Sequence, residues 1–512
     1  MTASARQREK NGTFKRWPKA RWWALLLSIA AAPRIWLAFS LPNPDGDAYS
    51  YLETIERMRA NLVAGTFSLK TLFNFWLPLY QFVCALLSAL TNHPVYVSKL
   101  VSAFCGVGVC ALVYLLTWRL TTNKTVALAA ALLMAVNPLH VLYSAFTLTE
   151  VPHTLAVMGS LYAAITRRWT TAAVCAVLAG FIRVESWMLI ALLPAIEWLT
   201  VGRVSIRRCA LLLVAPLLWM VICWAATGDF LAYFHERSRY VNELLTAYPH
   251  LQTLSLARLQ RNADSLIHSA NPVVLLGCFV AAGLIFKQRL ITRPRQESDE
   301  RLAVLANERL AVLATAVFFF AYLGFLVAAF LSGNQPDIWE RYGLIFFSMG
   351  TPLAAWAAVQ VARGKRRLAI VMTITIAVVC GVEARTQIRD ARETARQTSA
   401  RQILANNLQN IYESDTNIRV LCDDAGLPAL TRIPPERFIP STGLSPEPKA
   451  LLADLEQRGI DYIVCQRDEG LPVSAFPELR VGASSERFQL VVPSFPTDWH
   501  GRVYLYRLKR RQ

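Results

Sequence analysis

Two carboxylates stand two positions apart in Pro44-Asp45-Gly46-Asp47-Ala48-Tyr49, directly after the first long apolar segment of the chain. A carboxylate at such a boundary can take a proton from a hydroxyl as a general base or lend oxygen to a hard cation. It can equally cap the helix that starts near Tyr49. A second acid, Glu150, sits in Thr149-Glu150-Val151-Pro152-His153 between two apolar segments, where its charge also suits the N-terminus of the following helix. Arg183 and Glu185 interrupt an apolar run, a costly place for charge unless it is paired or reaches the interface. Mutual pairing and snorkelling would satisfy them without any catalytic role. Glu340-Arg341-Tyr342 opens a late apolar segment, and the planar fork of Arg341 matches phosphate oxygens, whether those of a substrate or of a lipid headgroup.

The elements that must bring these residues together are membrane helices. With 54% apolar and 17% charged residues in 512, the chain is too apolar for a soluble domain of its size. The net charge of +18 does not point to nucleic acid, because Lys and Arg fall in small clusters at the ends of apolar segments, where they set topology and meet lipid headgroups. The basic run Arg6, Arg8, Lys10, Lys15, Arg16, Lys19, Arg21 precedes Trp22 to Ser40, which reads as a retained first span rather than a cleaved signal.

Further membrane-length candidates are 97–118, 125–143, 151–165, 171–182, 187–199, 209–227, 272–286, 311–331, 343–362 and 368–383. Leu77 to Thr91 is short and contains Leu77-Pro78-Leu79-Tyr80. Treating it as interfacial or re-entrant puts Arg119 with Lys124, Arg167-Arg168, Arg203 with Arg207-Arg208, 287–309 and 363–367 all on the cytoplasmic side. About eleven crossings result, with the C-terminal portion outside. The same topology puts Asp45, Asp47, Glu150, Arg183, Glu185, the loop 228–270 and Arg341 on the exterior face.

Local patterns fill in the rest. Tyr51, Ile55, Met58 and Leu62 form an apolar stripe beside Glu53, Glu56 and Arg57, the pattern of an interfacial helix. The exterior loop carries His235, Glu236, Arg237, Arg239, Arg258 and Arg261, a basic set suited to an anionic lipid or phosphate. Segment 301–307 is nearly repeated in 309–315, which extends a helix into the cytoplasm. Beyond Glu383, strand-like runs 418–422, 462–465, 488–492 and 503–508 alternate with a helix over 448–458, predicting a small α/β domain without a Gly-rich phosphate loop. Of ten cysteines, Cys422 and Cys465 end two of these strands and are a candidate disulfide; the others lie in or beside apolar segments. The seven histidines show no zinc-ligand spacing.

The sequence resembles the polytopic C-type glycosyltransferases that use lipid-linked sugars, a group including oligosaccharyltransferase catalytic subunits, protein O-mannosyltransferases and aminoarabinose transferases. The resemblance rests on Asp45-Gly46-Asp47-Ala48-Tyr49-Ser50-Tyr51-Leu52, Trp76-Leu77-Pro78-Leu79-Tyr80, the Ala-rich 129–140 ending in Asn137-Pro138-Leu139-His140, Glu150, and Glu340-Arg341-Tyr342, in that order. It implies transfer of a sugar from a polyprenyl-phosphate donor to an acceptor hydroxyl on the outer face, with inversion. On that pattern Asp47 is the general base and Asp45 the second candidate. Glu150 would orient the acceptor or help hold a divalent ion, Mg or Mn, although no cage is evident. Arg341 and Arg183 would bind the donor phosphate, with Glu185, Glu340, Tyr342 and His153 auxiliary. The Trp-Trp-Asp motif of the oligosaccharyltransferase branch is missing, so asparagine-linked transfer is not implied, and the acceptor can be a glycan, lipid or protein.

The expected architecture is therefore a basic cytoplasmic N-terminus (1–21), an all-α polytopic membrane domain (22–383) of about eleven transmembrane helices with interfacial or re-entrant helices in the first external loop, and a small α/β extracytoplasmic domain (384–512). In a bacterium the membrane would be the plasma membrane. A transporter or lipid flippase would put ionisable residues at mid-membrane or in repeated halves, and a non-catalytic assembly protein would need none of these acids.

Overall fold

A computed structural model describes residues 20–509 apart from 44–45, 248–252, 292–298, 334, 336, 339, 364, 424–425, 432, 442–443, 466–470, 481–482 and 496–502. Asp45 and the N-terminal basic run before Ala20 thus lie outside the described residues. In chain order the membrane portion comprises α1 (Ala20–Ser40), α2 (Gly46–Val63), α3 (Leu79–Thr91), α4 (Pro94–Thr121), α5 (Lys124–Val136), α6 (Pro138–Tyr143), α7 (Glu150–Ile165), α8 (Trp169–Gly180), α9 (Leu189–Val201), α10 (Ile206–Leu212), α11 (Val214–Thr227), α12 (Ala232–Ala247), α13 (Leu256–Ala270), α14 (Pro272–Ile291), α15 (Asp299–Leu331) and α16 (Gly343–Ala362). Among the described residues, six helical segments are long and apolar enough to cross a membrane: 21–40, 94–121, 184–201, 206–227, 310–331 and 340–362. A seventh, α13 with α14, is bent by 88° at its break. The chain is an integral multipass membrane protein. The shorter apolar helices α3, α5 and α8 are below the length that a straight crossing needs.

Helix ends follow local chemistry. Asn123 caps α5 by accepting from Thr125 and Val126 amides. Pro138 cannot extend α5, so Asn137 turns extended and its side chain caps α6 through the His140 amide at 2.8 Å. Expected span 125–143 is therefore two helices. The carbonyls left at the end of α5 are taken up by Arg34 of α1, which is fully buried and donates to Ala135 at 2.9 Å, to its own helix at Ala30 at 2.7 Å, and meets His140 Nδ1 at 2.7 Å. Room for this guanidinium comes from Gly106 of α4, where a Cβ would lie 2.9 Å from Arg34 Nε. Removing Arg34 takes the charged donor away from the Ala135 carbonyl and the His140 imidazole in an apolar setting. Arg34→Ala is expected to cost about 3 kcal/mol, read as a lower thermal transition of the detergent-solubilised protein; an unchanged transition would refute this role.

The apolar stripe of α2 is not turned to lipid. Tyr51, Ile55 and Met58 are buried, and Ile55 and Met58 pack with Tyr80, Cys84 and Ala85 of α3. The amphipathic pattern was right in period, but its apolar face is covered by protein.

No break separates the two expected domains at Glu383, because α17 (Arg366–Ser414) runs through that point as one helix. Its far end supplies Leu404, Ala405 and Leu408 to the core of the α/β portion. That portion contains β1 (Val420–Leu421), α18 (Gly426–Leu430), β2 (Phe438–Ile439), α19 (Pro448–Gln457), β3 (Tyr462–Cys465), α20 (Leu471–Ala475), β4 (Phe488–Phe495) and β5 (Val503–Leu508) in a sheet of order β2-β1-β3-β5-β4. β1 is parallel to β2 and β3, while β5 is antiparallel to β3 and β4. Register decides the cysteine question. Leu421 pairs with Ile463, so Cys422 falls beside Val464 in one core and Cys465 beside Ile463 in the other. Side chains alternate faces along a strand, and the two thiols, not joined in a disulfide, lie on opposite sides of the sheet. Burial pushes the Cys465 thiol up to about 12, which makes it unreactive at neutral pH. α18 packs on α2, so the α/β portion touches the helix that carries Asp47.

Candidate active site

Asp47 stands in the first turn of α2. One turn on, the Tyr51 ring contacts Trp76 at 4.5 Å, and its hydroxyl hydrogen-bonds the Thr149 hydroxyl at 3.2 Å. Ahead of the acidic loop, Asn43 and Thr147 exchange two hydrogen bonds of 3.0 and 3.1 Å, and buried Lys99 of α4 donates to the Leu41 carbonyl. The loop and the segment before α7 are thus tied together on both sides of Asp47. Glu150, the first residue of α7, is carried under it.

Two arginines complete the cluster. Arg183 Nη1 lies 3.0 Å from Glu150 Oε1, and its Nη2 lies 2.9 Å from Glu185 Oε1. Arg341 pairs through Nη2 with Asp47 Oδ2, and its Nε is 3.4 Å from Glu150 Oε1. Both guanidinium groups lie over the Tyr342 ring, at 5.2 Å and 5.7 Å. Glu150 and Arg341 side chains are only 6% and 7% exposed, whereas Asp47 is 31% exposed. Glu150 Oε2 is buried with no hydrogen-bond partner among the described residues.

Beneath the charges, His153 Nε2 and the Ser186 hydroxyl meet at 2.7 Å, and Ser186 meets the Tyr322 hydroxyl at 2.8 Å. His153 and Tyr322 line a cleft that also includes Glu150, Arg183, Glu185, Arg341, Tyr342, Phe325, Leu326, Ile345 and Phe346. It holds about 430 Å³ of space, part of it open to solvent. One wall is charged and the other apolar, and Phe325 is exposed on the outside of the bundle. An amphiphile with an anionic head fits such a division.

Of the sequence candidates, Asp47, Glu150, Arg183, Glu185, Arg341 and Tyr342 come together, with His153 one turn below Glu150. Glu340 is half-buried on the same 3₁₀ turn as Arg341. Sequence reading missed Thr149, Ser186, Tyr322 and Lys99. Only Lys99, a charge near the start of an apolar segment, carried a signal that could have found it. For a divalent ion the fit is poor: Mg or Mn calls for about six oxygen ligands, yet Asp47 and Glu150 already hold guanidinium groups. Among the described residues no group of three or more His, Cys, Asp or Glu side chains is placed to hold a metal ion.

The fold is shared with solved glycosyltransferases. Archaeal oligosaccharyltransferase AglB from Archaeoglobus fulgidus, in complex with an inhibitory peptide and a dolichol-phosphate, superposes with a TM-score of 0.53 at 12% identity, covering 94% of this chain and 81% of that one. An Archaeoglobus fulgidus oligosaccharyltransferase in complex with Zn and sulfate gives a TM-score of 0.52 at 13% identity, over 94% and 72%. ArnT from Cupriavidus metallidurans, bound to undecaprenyl phosphate, gives 0.45 at 13% identity, over 96% and 98%. Residues 77–173 match the family described as dolichyl-phosphate-mannose-protein mannosyltransferase. No curated protein sequence matches the chain. The resemblance to the polytopic C-type glycosyltransferases is borne out, by fold over nearly the whole chain and by family over 77–173.

Proposed function

We propose that the protein transfers a sugar from a polyprenyl-phosphate donor to an acceptor hydroxyl at the outer face of the membrane. The observation that carries this reading is the cluster of Asp47, Glu150, Arg183, Glu185 and Arg341, drawn from distant parts of the chain to the charged end of a cleft with an apolar wall. The donor's phosphate meets Arg341 and Arg183 and its prenyl chain runs along Phe325 and Ile345. Arg341 now holds Asp47. When a phosphate draws Arg341 toward itself, Asp47 Oδ2 becomes open to a hydroxyl. The acceptor oxygen then attacks the anomeric carbon, its proton passes to Asp47, and the bond from that carbon to the phosphate oxygen breaks with inversion. The electron pair leaves on the polyprenyl phosphate, whose charge the two guanidinium groups stabilise. Glu150 Oε2 orients the acceptor. Asp45 is the second candidate for the base.

Sidedness is read from the basic clusters: a cytoplasmic N-terminus and an extracytoplasmic site and α/β portion. The packing of α18 on α2 supports a common side for the last two. The test is mass analysis of the glycans, glycolipids and glycoproteins of the producing cell with and without this chain. One sugar missing from one acceptor is expected and would name both substrates; identical profiles would refute transfer.

A further inference from the structure

Helix α13 buries polar residues and exposes apolar ones: Arg258, Asn262 and Ser269 fall on one side and are buried, while Leu256, Leu259 and Ile267 are 80%, 36% and 44% exposed, with exposed Gln260, Arg261 and Asp264 beside them. A water-facing surface helix has the reverse pattern. The helix meets the apolar α14 at 88°. If α14 runs across the membrane, α13 lies in its plane, where an apolar outer side belongs against the acyl boundary.

The buried polar side grips the turn that presents Arg341. Asn262 Nδ2 donates to Asp337 Oδ1 at 2.9 Å, and the Ile338 amide donates to Asn262 Oδ1. Arg258 Nε is 3.6 Å from the same Asp337 oxygen. Gln335 continues the linkage by donating to the Asp337 carbonyl at 2.9 Å and to the Tyr342 hydroxyl at 3.3 Å. At the far end, α13 comes so close to Gly343 that a Cβ there would collide with the Ser269 side chain and lie 3.0 Å from the Ser269 carbonyl carbon. Four successive contacts thus bind α13 to the segment 335–343, with Arg341 between them.

We propose that α13 is a membrane-seated brace that sets the position of Arg341, with Asn262 as the positioning residue and a lipid surface as the partner of Leu256 and Ile267. Asn262 touches neither substrate nor reacting atoms; it acts through the turn. The effect on donor binding rests on the function proposed above, but the brace does not.

The test uses the full-length protein in phosphatidylglycerol-containing nanodiscs. Asn262→Ala is expected to accelerate amide hydrogen exchange over 337–343 and to weaken binding of a polyprenyl phosphate about tenfold, with the global thermal transition retained. The reciprocal pair Asn262→Asp with Asp337→Asn rebuilds an acceptor for the Ile338 amide and a donor–acceptor contact between the side chains, and should recover both. Leu256→Glu with Ile267→Glu should accelerate exchange along 256–270 in nanodiscs and spread it to 337–343. Unchanged exchange at 337–343 in Asn262→Ala overturns the brace, and unchanged exchange in the Leu256 and Ile267 variant overturns the lipid seat. Wild-type protein that fails to bind polyprenyl phosphate while Asn262→Ala still loosens 337–343 would sink the proposed function and leave the brace standing.

Discussion

Asp47→Asn is expected to leave a folded protein that still binds its lipid donor but transfers sugar about 10²- to 10⁴-fold more slowly, the usual worth of a general base. The amide keeps the shape of the carboxylate and can still accept from Arg341, so the pairing with Arg341 weakens without leaving a hole. What is lost is the group that takes the hydroxyl proton. The loss should therefore appear in kcat, with donor affinity little changed. Turnover of the purified protein, or restoration of the missing sugar in cells lacking the chain, measures it. Transfer at the wild-type rate would remove Asp47 from the role of base, and Asp45→Asn in the same assay shows whether its neighbour fills it.

Arg341→Ala should be as damaging for a different reason. This side chain, 7% exposed, holds Asp47 and lies 3.4 Å from Glu150. The cluster contains three acids, Asp47, Glu150 and Glu185, against two guanidinium groups, so removing one leaves three negative charges facing a single cation, Arg183. Repulsion then opposes both donor binding and departure of the phosphate. Loss of an electrostatic stabiliser at a developing charge is worth about 10²- to 10³-fold in rate; buried Glu150 keeps Arg183 and Asp47 is partly exposed, so the loss of stability should be smaller, about 1–3 kcal/mol. Arg341→Lys keeps the charge but not the fork that reaches two carboxylates, so it should recover stability more than activity. Because Asp47 and Arg341 act as a pair, the double variant should lose less than the product of the single losses. Multiplicative losses would show that the pairing has no part in the reaction.

Much of this site was legible because charge is conspicuous in an apolar sequence. Asp47, Glu150, Arg183, Glu185 and Arg341 each stand at the end of an apolar segment, where the cost of burying charge restricts what a residue can be doing. Ser186 and Tyr322 were not legible, since a hydroxyl inside a helix looks the same whether it joins a buried polar chain or faces lipid. Arg34 was a charge in the first span, and it still escaped, because its partners are carbonyls freed by a proline about a hundred residues away. In the α/β portion, four strands were readable from their runs, but β2 (Phe438–Ile439) is two residues long and carries no periodicity of its own.

The sequence alone determined the membrane class, the apolar segments, the acidic loop ahead of α2 and the strand-bearing C-terminal portion, because hydropathy and side-chain alternation are local properties of a chain. Only tertiary structure decided which surfaces meet. It joined Arg341 to Asp47 across 294 residues, covered the apolar stripe of α2 with α3, set Cys422 and Cys465 on opposite faces of a sheet and turned the polar side of α13 inward. A periodic pattern states that a face must be covered. Packing and charge pairing between distant segments select the neighbour that covers it.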